Sequence, residues 1–267
     1  MSKIINPHPL SFSTILVSMH LKETKARLYT GTSFIYEYKE KLYLITNWHI
    51  VTGLSTIDKK PIMNHGGIPD IMVLSLMLNQ NRPKWKSFTL ELYKENKAEW
   101  LVHPIHKEKV DVVAMEIEIP KEFNCLIRPI NKYIFNDFKL EIADDVFVLG
   151  YPYSITGGGN FPIWKRGSVA TEPEIDYEGL PKIFIDTASR PGMSGSPVIF
   201  RRNGIHLGKE NKLSLDTIFG EIRDFIGVYS GRKVGENDFD AQLGIVWKKK
   251  VIEEIIEGNL KDSINFA

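Results

Sequence analysis

The sequence predicts an all-β protein with a helix near its end, and three observations carry that prediction. Short runs of β-branched and aromatic residues recur along most of the chain, separated by turn residues. Helix-period patterning is confined to one segment after residue 247. The 267 residues, 43% hydrophobic and 25% charged, suffice for one large domain or two modest ones around a sizeable core.

Strands are expected at residues 14–19, 33–38 and 42–46, the last two joined by Lys39-Glu40-Lys41, a short polar link that suits a hairpin. Further strands are expected at 71–78, 88–93, 110–117, 145–149, 168–170, 183–187, 197–200 and 225–229. Many short strands favour a barrel or a sandwich. Over 248–257, Val251, Ile252, Ile255 and Ile256 fall on one face, which predicts an amphipathic helix stopped by Gly258. Residues 120–140 mix Pro, Asn, Lys and aromatics and read as the connection between two halves, 1–132 and 133–267. Gly157-Gly158-Gly159 marks a mobile loop, because a phosphate cradle needs a following helix and a Lys-Ser/Thr pair.

Composition excludes several function classes. The net charge of +1, from 34 basic and 33 acidic residues, gives no strong field for nucleic acid or an anionic membrane. Lys248-Lys249-Lys250 and Lys84-Trp85-Lys86 read as solvated faces. No run of 18 apolar residues exists, and residues 11–19 alternate with Ser and Thr, so neither a membrane span nor a signal peptide is expected. The single cysteine, Cys125, cannot form an intrachain disulfide; it reads as a small apolar side chain in a reducing, cytoplasmic compartment.

The chemistry-bearing stretch is Arg190-Pro191-Gly192-Met193-Ser194-Gly195-Ser196-Pro197. It sets a serine between glycines on a tight turn, followed by the apolar run Val198-Ile199-Phe200. A serine hydroxyl attacks a carbonyl only when a base takes its proton and donors stabilise the oxyanion. Of seven histidines, His49 stands at a strand end in Thr46-Asn47-Trp48-His49-Ile50-Val51. Asp111 opens the apolar run Val112-Val113-Ala114-Met115, where a carboxylate needs a partner such as an imidazole. An α/β-hydrolase elbow is disfavoured, since Ser196 replaces its last glycine and helices do not alternate with the strands. A metal site from His103, His106 and Asp111 carries little weight without an H-E-x-x-H pattern.

In the order His49, Asp111, Ser194 the chain resembles the trypsin-like, chymotrypsin-fold serine peptidases, particularly the bacterial branch with the HtrA-type and glutamyl-endopeptidase-type enzymes. Gly31-Thr32-Ser33-Phe34 resembles the family's G-T/S-G-F strand with Ser33 in place of Gly. Thr46 to Val51 resembles T-N-x-H-V-V, and Val110 to Ala114 resembles D-[VI]-A-x-[LI] with one extra residue before Ala114. Val146 to Pro152 resembles the G-x-P strand opening the second barrel, and Asp186 to Pro197 the nucleophile segment, in the G-S-P form of glutamyl endopeptidases. Residues 226–231 and 243–246 resemble the last two strands, so the likeness spans roughly residues 12–258. No segment for a PDZ domain is expected after the terminal helix.

The resemblance implies two Greek-key six-stranded β-barrels with a C-terminal α-helix, His49 and Asp111 on the first barrel and Ser194 on the second. It implies a catalytic triad of those three residues and an oxyanion hole from the N–H groups of Gly192 and Ser194. The substrate pocket would be walled by Ala188, Ser189, Arg190, Tyr229, Ser230 and Gly231. Ala188 stands where trypsin has an acid, which argues against Lys/Arg cleavage; Arg190 and Arg232 would favour an acidic residue. Tyr229 stands where glutamyl endopeptidases have a histidine, which leaves a small or apolar preference open. No cofactor and no metal are implied. The expected partners are a protein or peptide substrate and a regulatory protein, without nucleic acid or membrane. The alternative is a chymotrypsin-fold binding or regulatory module with latent or partner-activated peptidase activity, docking through residues 57–81 and 201–224.

Overall fold

The computed structural model of the protein describes residues 7–64, 66–80, 83–133, 135–136, 139–188, 190–206, 217–232 and 242–264. It is all-β and chymotrypsin-like, with the site at the junction of two halves. The first half contains β1 (Thr14–His20), β2 (Arg27–Tyr38), β3 (Lys41–Thr46), the short helix α1 (Trp48–Thr52), β4 (Ile71–Met77) and β5 (Trp85–Glu91). The pair β6 (Tyr93–Lys94) and β7 (Lys97–Ala98) follows, then β8 (Leu101–Val102) and β9 (Val113–Ile117). The second half contains β10 (Asp145–Gly150), β11 (Ile163–Val169), β12 (Lys182–Asp186), β13 (Pro197–His206), β14 (Ile218–Arg232) and β15 (Leu243–Lys248). The helix α2 (Lys250–Gly258) and β16 (Leu260–Lys261) come last.

β10 to β15 close into a six-stranded barrel in the order β10-β11-β12-β15-β14-β13. The first half departs from a six-strand ring: its ladder is one eight-stranded sheet, β16-β8-β9-β3-β2-β1-β4-β5. Beyond β5 the sheet continues through single bonds, Leu92 N–H to Asp70 O (2.9 Å) and Glu99 N–H to Leu92 O (2.9 Å). The sheet wraps a core that includes Val17, Met19, Leu44, Trp48, Met72, Leu74, Trp100 and Val113. The alternating burial of β1 and β4 is the period-two signature of strands with one face inward.

The β2–β3 connection is tighter than the expected three-residue link. Lys41 begins β3, and only Lys39 (φ 48°) and Glu40 (φ 64°) turn the chain. Two successive positive φ values match the type I′ geometry that suits strand twist. Each of the expected docking segments is in part sheet. Residues 71–77 are β4, buried between β1 and β5, and 201–206 continue β13 in register with 218–223 of β14.

The two halves share a core. Phe34, Tyr43, Ile45, Val110 and Val112 of the first meet Ile199, Phe225, Val228 and Trp247 of the second, with Val251, Ile252, Ile255 and Ile256 of α2 beneath them. The connection docks here too: Ile130 is fully buried, and Asn131 bonds both backbone groups of Glu37 (3.0 and 2.7 Å). Gly258 does not stop α2. It is the last helical residue, where a side chain would meet Pro104 at 2.7 Å, and Asn259 supplies the left-handed cap (φ 45°).

Ile255 is completely buried and Ile57 is 94% exposed. Ile255→Ala is expected to lower unfolding free energy by about 2–5 kcal/mol, and Ile57→Ala by less than about 0.5. Urea unfolding midpoints of the two variants check this; equal effects would show that α2 is not part of the shared core.

Candidate active site

The end of β3 delivers the first group. After Thr46 the chain leaves the sheet at Asn47 and enters α1, which carries His49. The Asn47 side chain does not cap that helix; its Nδ2–H donates to the backbone oxygen of Asp111 at 2.6 Å. This ties the α1 start to the segment before β9. Asp111, 6% exposed between the fully buried Val110 and Val112, is then an anion in an apolar wall and must be supplied with donors.

Three donors reach it. The His49 backbone N–H donates to Oδ1 at 2.9 Å, and the imidazole lies 2.6 Å from Oδ2 through Nδ1. Ser230 Oγ, from the second half, also donates to Oδ2. A carboxylate only accepts, so Nδ1 carries the imidazole proton and Nε2 is left as the acceptor facing away. The His49 side chain is 16% exposed.

Ser194 is held in a loop with fixed backbone directions. Residues 190–193 form a turn closed by Met193 N–H to Arg190 O (3.3 Å), with Pro191 second and Gly192 third at φ +92°. That is the type II pattern, in which the third position favours glycine. A Cβ on Gly192 would also sit 2.3 Å from Tyr151 O. Pro191 O accepts from Tyr153 N–H at 2.8 Å. Because a trans peptide points its N–H opposite to its C=O, the Gly192 N–H faces the other side. Among the described residues, neither the Gly192 N–H nor the Ser194 N–H has a protein acceptor.

The first half clamps this loop. Thr32 N–H donates to Ser194 O (2.9 Å) and Thr32 Oγ1 to Gly192 O (2.8 Å), while Thr46 Oγ1 donates to Thr32 O (2.8 Å). Gly195 fits only because it lacks a side chain: a Cβ there would lie 2.0 Å from Thr32 O. From the other side, Gly195 N–H donates to Tyr229 O (2.9 Å) and Tyr229 N–H to Ser196 O (2.8 Å). The Ser194 hydroxyl is half-exposed and lies 3.8 Å from where a Cβ on Gly231 would be. It has no hydrogen-bond partner among the described residues, so its bond to His49 is not formed here.

His49 and Ser230 thus meet at Asp111, and Ser194 lies beside Gly231, the next residue after Ser230; the expected pocket walls divide. Arg190 is exposed and Ala188 and Gly231 partly so, with Gly231 beside Ser194 Oγ. Ser189 lies outside the described residues. Tyr229 is not a wall: its ring is 1% exposed in the barrel core with Ile185, Met193 and Val246, against Gly244. Ser230 turns its hydroxyl to Asp111 and so offers a pocket no side-chain group. The cause is an irregularity in β14. The ladder pairs Tyr229 with Val246 and then Arg232 with Gly244, leaving an extra residue that turns Ser230 and Gly231 out of register. The sequence marks Ser230 only as a hydroxyl after an apolar run, and nothing local names its acceptor.

The alternative metal set is dispersed. His103, 3% exposed, bonds Glu254 Oε2 of α2 through Nε2 (3.0 Å) and accepts the Ile105 and His106 N–H groups at Nδ1. Among the described residues, no group of three metal-ligating side chains converges. Cys125 is half-buried, and burial pushes its thiol up from the ordinary value. Burial and the nearby Arg190 guanidinium hold the Lys165 ammonium below its ordinary value.

No protein-family model and no curated protein matches the chain. Among solved structures it is similar to the Rv3671c protease from M. tuberculosis in its active form, at 16% identity and a TM-score of 0.48, covering 97% of this chain and 91% of that one. An inactive serine-to-alanine mutant of the same protease is similar at 16% identity and a TM-score of 0.44, covering 96% and 95%. Likeness at this level is weak; the strand order above carries the fold.

Gly192 and Gly158 both have positive φ, but only at Gly192 would a Cβ meet backbone, while Gly158 faces open space. Gly192→Ala is expected to destabilise by about 1–3 kcal/mol more than Gly158→Ala. Paired urea titrations measure the difference; equal costs would show that the turn is free to move.

Proposed function

We propose that the chain is a serine endopeptidase of trypsin-like type that hydrolyses peptide bonds through an acyl-enzyme. One observation carries this reading. A single oxygen, Asp111 Oδ2, accepts hydrogen bonds from both His49 Nδ1–H and the Ser230 hydroxyl, and Ser230 adjoins the glycine beside Ser194 Oγ. The base and the nucleophile therefore flank the same opening between the two halves.

The chemistry follows from the directions of these groups. Ser194 Oγ attacks the substrate carbonyl carbon as His49 Nε2 takes the hydroxyl proton, and the C=O electron pair moves onto oxygen. The unpartnered N–H groups of Gly192 and Ser194 receive that oxyanion. Asp111 stabilises the imidazolium without taking its proton. His49 then protonates the departing amine as the C–N bond breaks. Water adds to the ester by the same route, releasing the acid and restoring Ser194. The Ser194–His49 bond absent from the free site is of the kind that tightens when substrate binds.

The pocket supports peptides without Lys or Arg at the cleaved position, since Ala188 brings no anion. The exposed Arg190 would favour an acidic side chain there, and Tyr229 in place of a histidine keeps a small or apolar preference open. The motifs Thr46 to Val51 and Gly195-Ser196-Pro197 support a likeness to the bacterial HtrA- and glutamyl-endopeptidase-type enzymes. The single cysteine supports a reducing, cytoplasmic location. The unengaged Ser194 hydroxyl supports a second reading, a module whose peptidase activity waits for a partner.

A fluorophosphonate probe separates the two. Labelling of the wild-type chain and none of Ser194→Ala is expected, with Asp111→Asn slower by on the order of 10³–10⁴-fold. Folded wild-type protein that stays unlabelled would rule out constitutive activity. A peptide-library profile dominated by Lys or Arg would overturn the pocket assignment.

A further inference from the structure

Trp48, the residue immediately before His49, is 2% exposed, and its indole N–H donates to Asp262 Oδ2 at 2.7 Å. Trp100, with no exposed surface, donates to the same oxygen at 2.9 Å. Asp262 is held in place in turn: its N–H donates to Trp100 O (3.3 Å), and its Oδ1 accepts the Ile264 N–H (3.2 Å). The segment is registered by β16, whose Leu260 and Lys261 pair with Val102 and Leu101 of β8. One acceptor brought in after α2 thus satisfies two buried indole donors that otherwise have no acceptor.

The position of Trp48 gives this contact a consequence for the base. α1 has only five residues, and its N-cap side chain is turned to Asp111 rather than to the helix. Such a helix has little stability of its own. Its backbone is held on the cleft side through His49 N–H and on the opposite side through the Trp48 indole, whose face Lys59 Nζ covers at 4.6 Å. Thr52 Oγ1 bonds Trp48 O at 3.0 Å, so movement of the indole carries the whole turn.

We propose that Asp262 is a positioning residue for the base: acting through Trp48, it latches α1 so that His49 stays against Asp111. The proposal rests on the peptidase reading above and adds to it a residue far along the chain. Nothing of Asp262 touches substrate.

Four full-length variants test it: Asp262→Ala, Asp262→Asn, Trp48→Phe and Trp100→Phe. Two readouts are followed, the rate of Ser194 labelling by an uncharged fluorophosphonate across pH and the downfield proton NMR signal of His49 Nδ1–H. Asp262→Ala and Trp48→Phe are expected to slow labelling equally, by on the order of ten- to a hundredfold, and to shift the His49 signal upfield. The double variant is expected to be no slower than either single one, since both cut the same link. Asp262→Asn keeps an acceptor oxygen and recovers part of the rate. Trp100→Phe removes a donor to the same oxygen yet keeps labelling within about twofold, because no site residue adjoins it. Equal slowing in Trp100→Phe, or an unmoved His49 signal in Trp48→Phe, overturns the latch and leaves Asp262 a packing contact. Should Asp262→Ala fail to fold, Trp48→Phe and Asp262→Asn still decide the matter. A wild-type chain that does not label refutes the peptidase reading alone, while the His49 signal still judges the latch.

Discussion

Asp111 is a carboxylate in an apolar wall, and the architecture of the cleft follows from how its charge is satisfied. An isolated anion in that place would be strongly disfavoured, so both carboxylate oxygens recruit donors. One donor is the backbone of α1, one is the imidazole that α1 carries, and one is a hydroxyl from the other half. Satisfying one buried charge therefore orients His49, fixes its tautomer and registers β14 against the first half. The irregularity in β14 is intelligible in the same terms, since a regular ladder would keep Ser230 in the barrel wall.

The shared core works with this polar contact rather than beside it. Phe34 and Ile45 lie in the strands that carry Thr32 and Thr46, and they pack on Phe225 and Val228 of the strand that carries Ser230. Apolar burial supplies non-directional attraction between the halves, and the hydrogen bonds select one register among those that would bury similar area. The helix α2 closes the underside of the same cluster.

Much of this was legible in the residues, and the limits have physical causes. His49, Asp111, Ser194 and Gly192 are set by local needs: a strand end, an apolar flank, a turn with positive φ. Those needs leave marks within five or six residues of the chain. Ser230 and Asp262 leave none, because each is defined by an acceptor or donor more than a hundred residues away. Tyr229 misled for a related reason: strand alternation tells which residues share a face, but a local irregularity changes which face meets the cleft. Gly258 showed the opposite error, where a helix-stopping residue serves close packing against Pro104 and asparagine takes the cap.

Thr32 joins the two halves in a way that bears on control. Its amide and its hydroxyl hold the carbonyls of Ser194 and Gly192, the two residues whose N–H groups have no protein acceptor among the described residues. These bonds fix the Gly192–Met193 and Ser194–Gly195 peptides on either side of the nucleophile, so parting the halves removes two supports of its loop. A displacement of one half against the other, however far from the nucleophile, strains the loop that carries it.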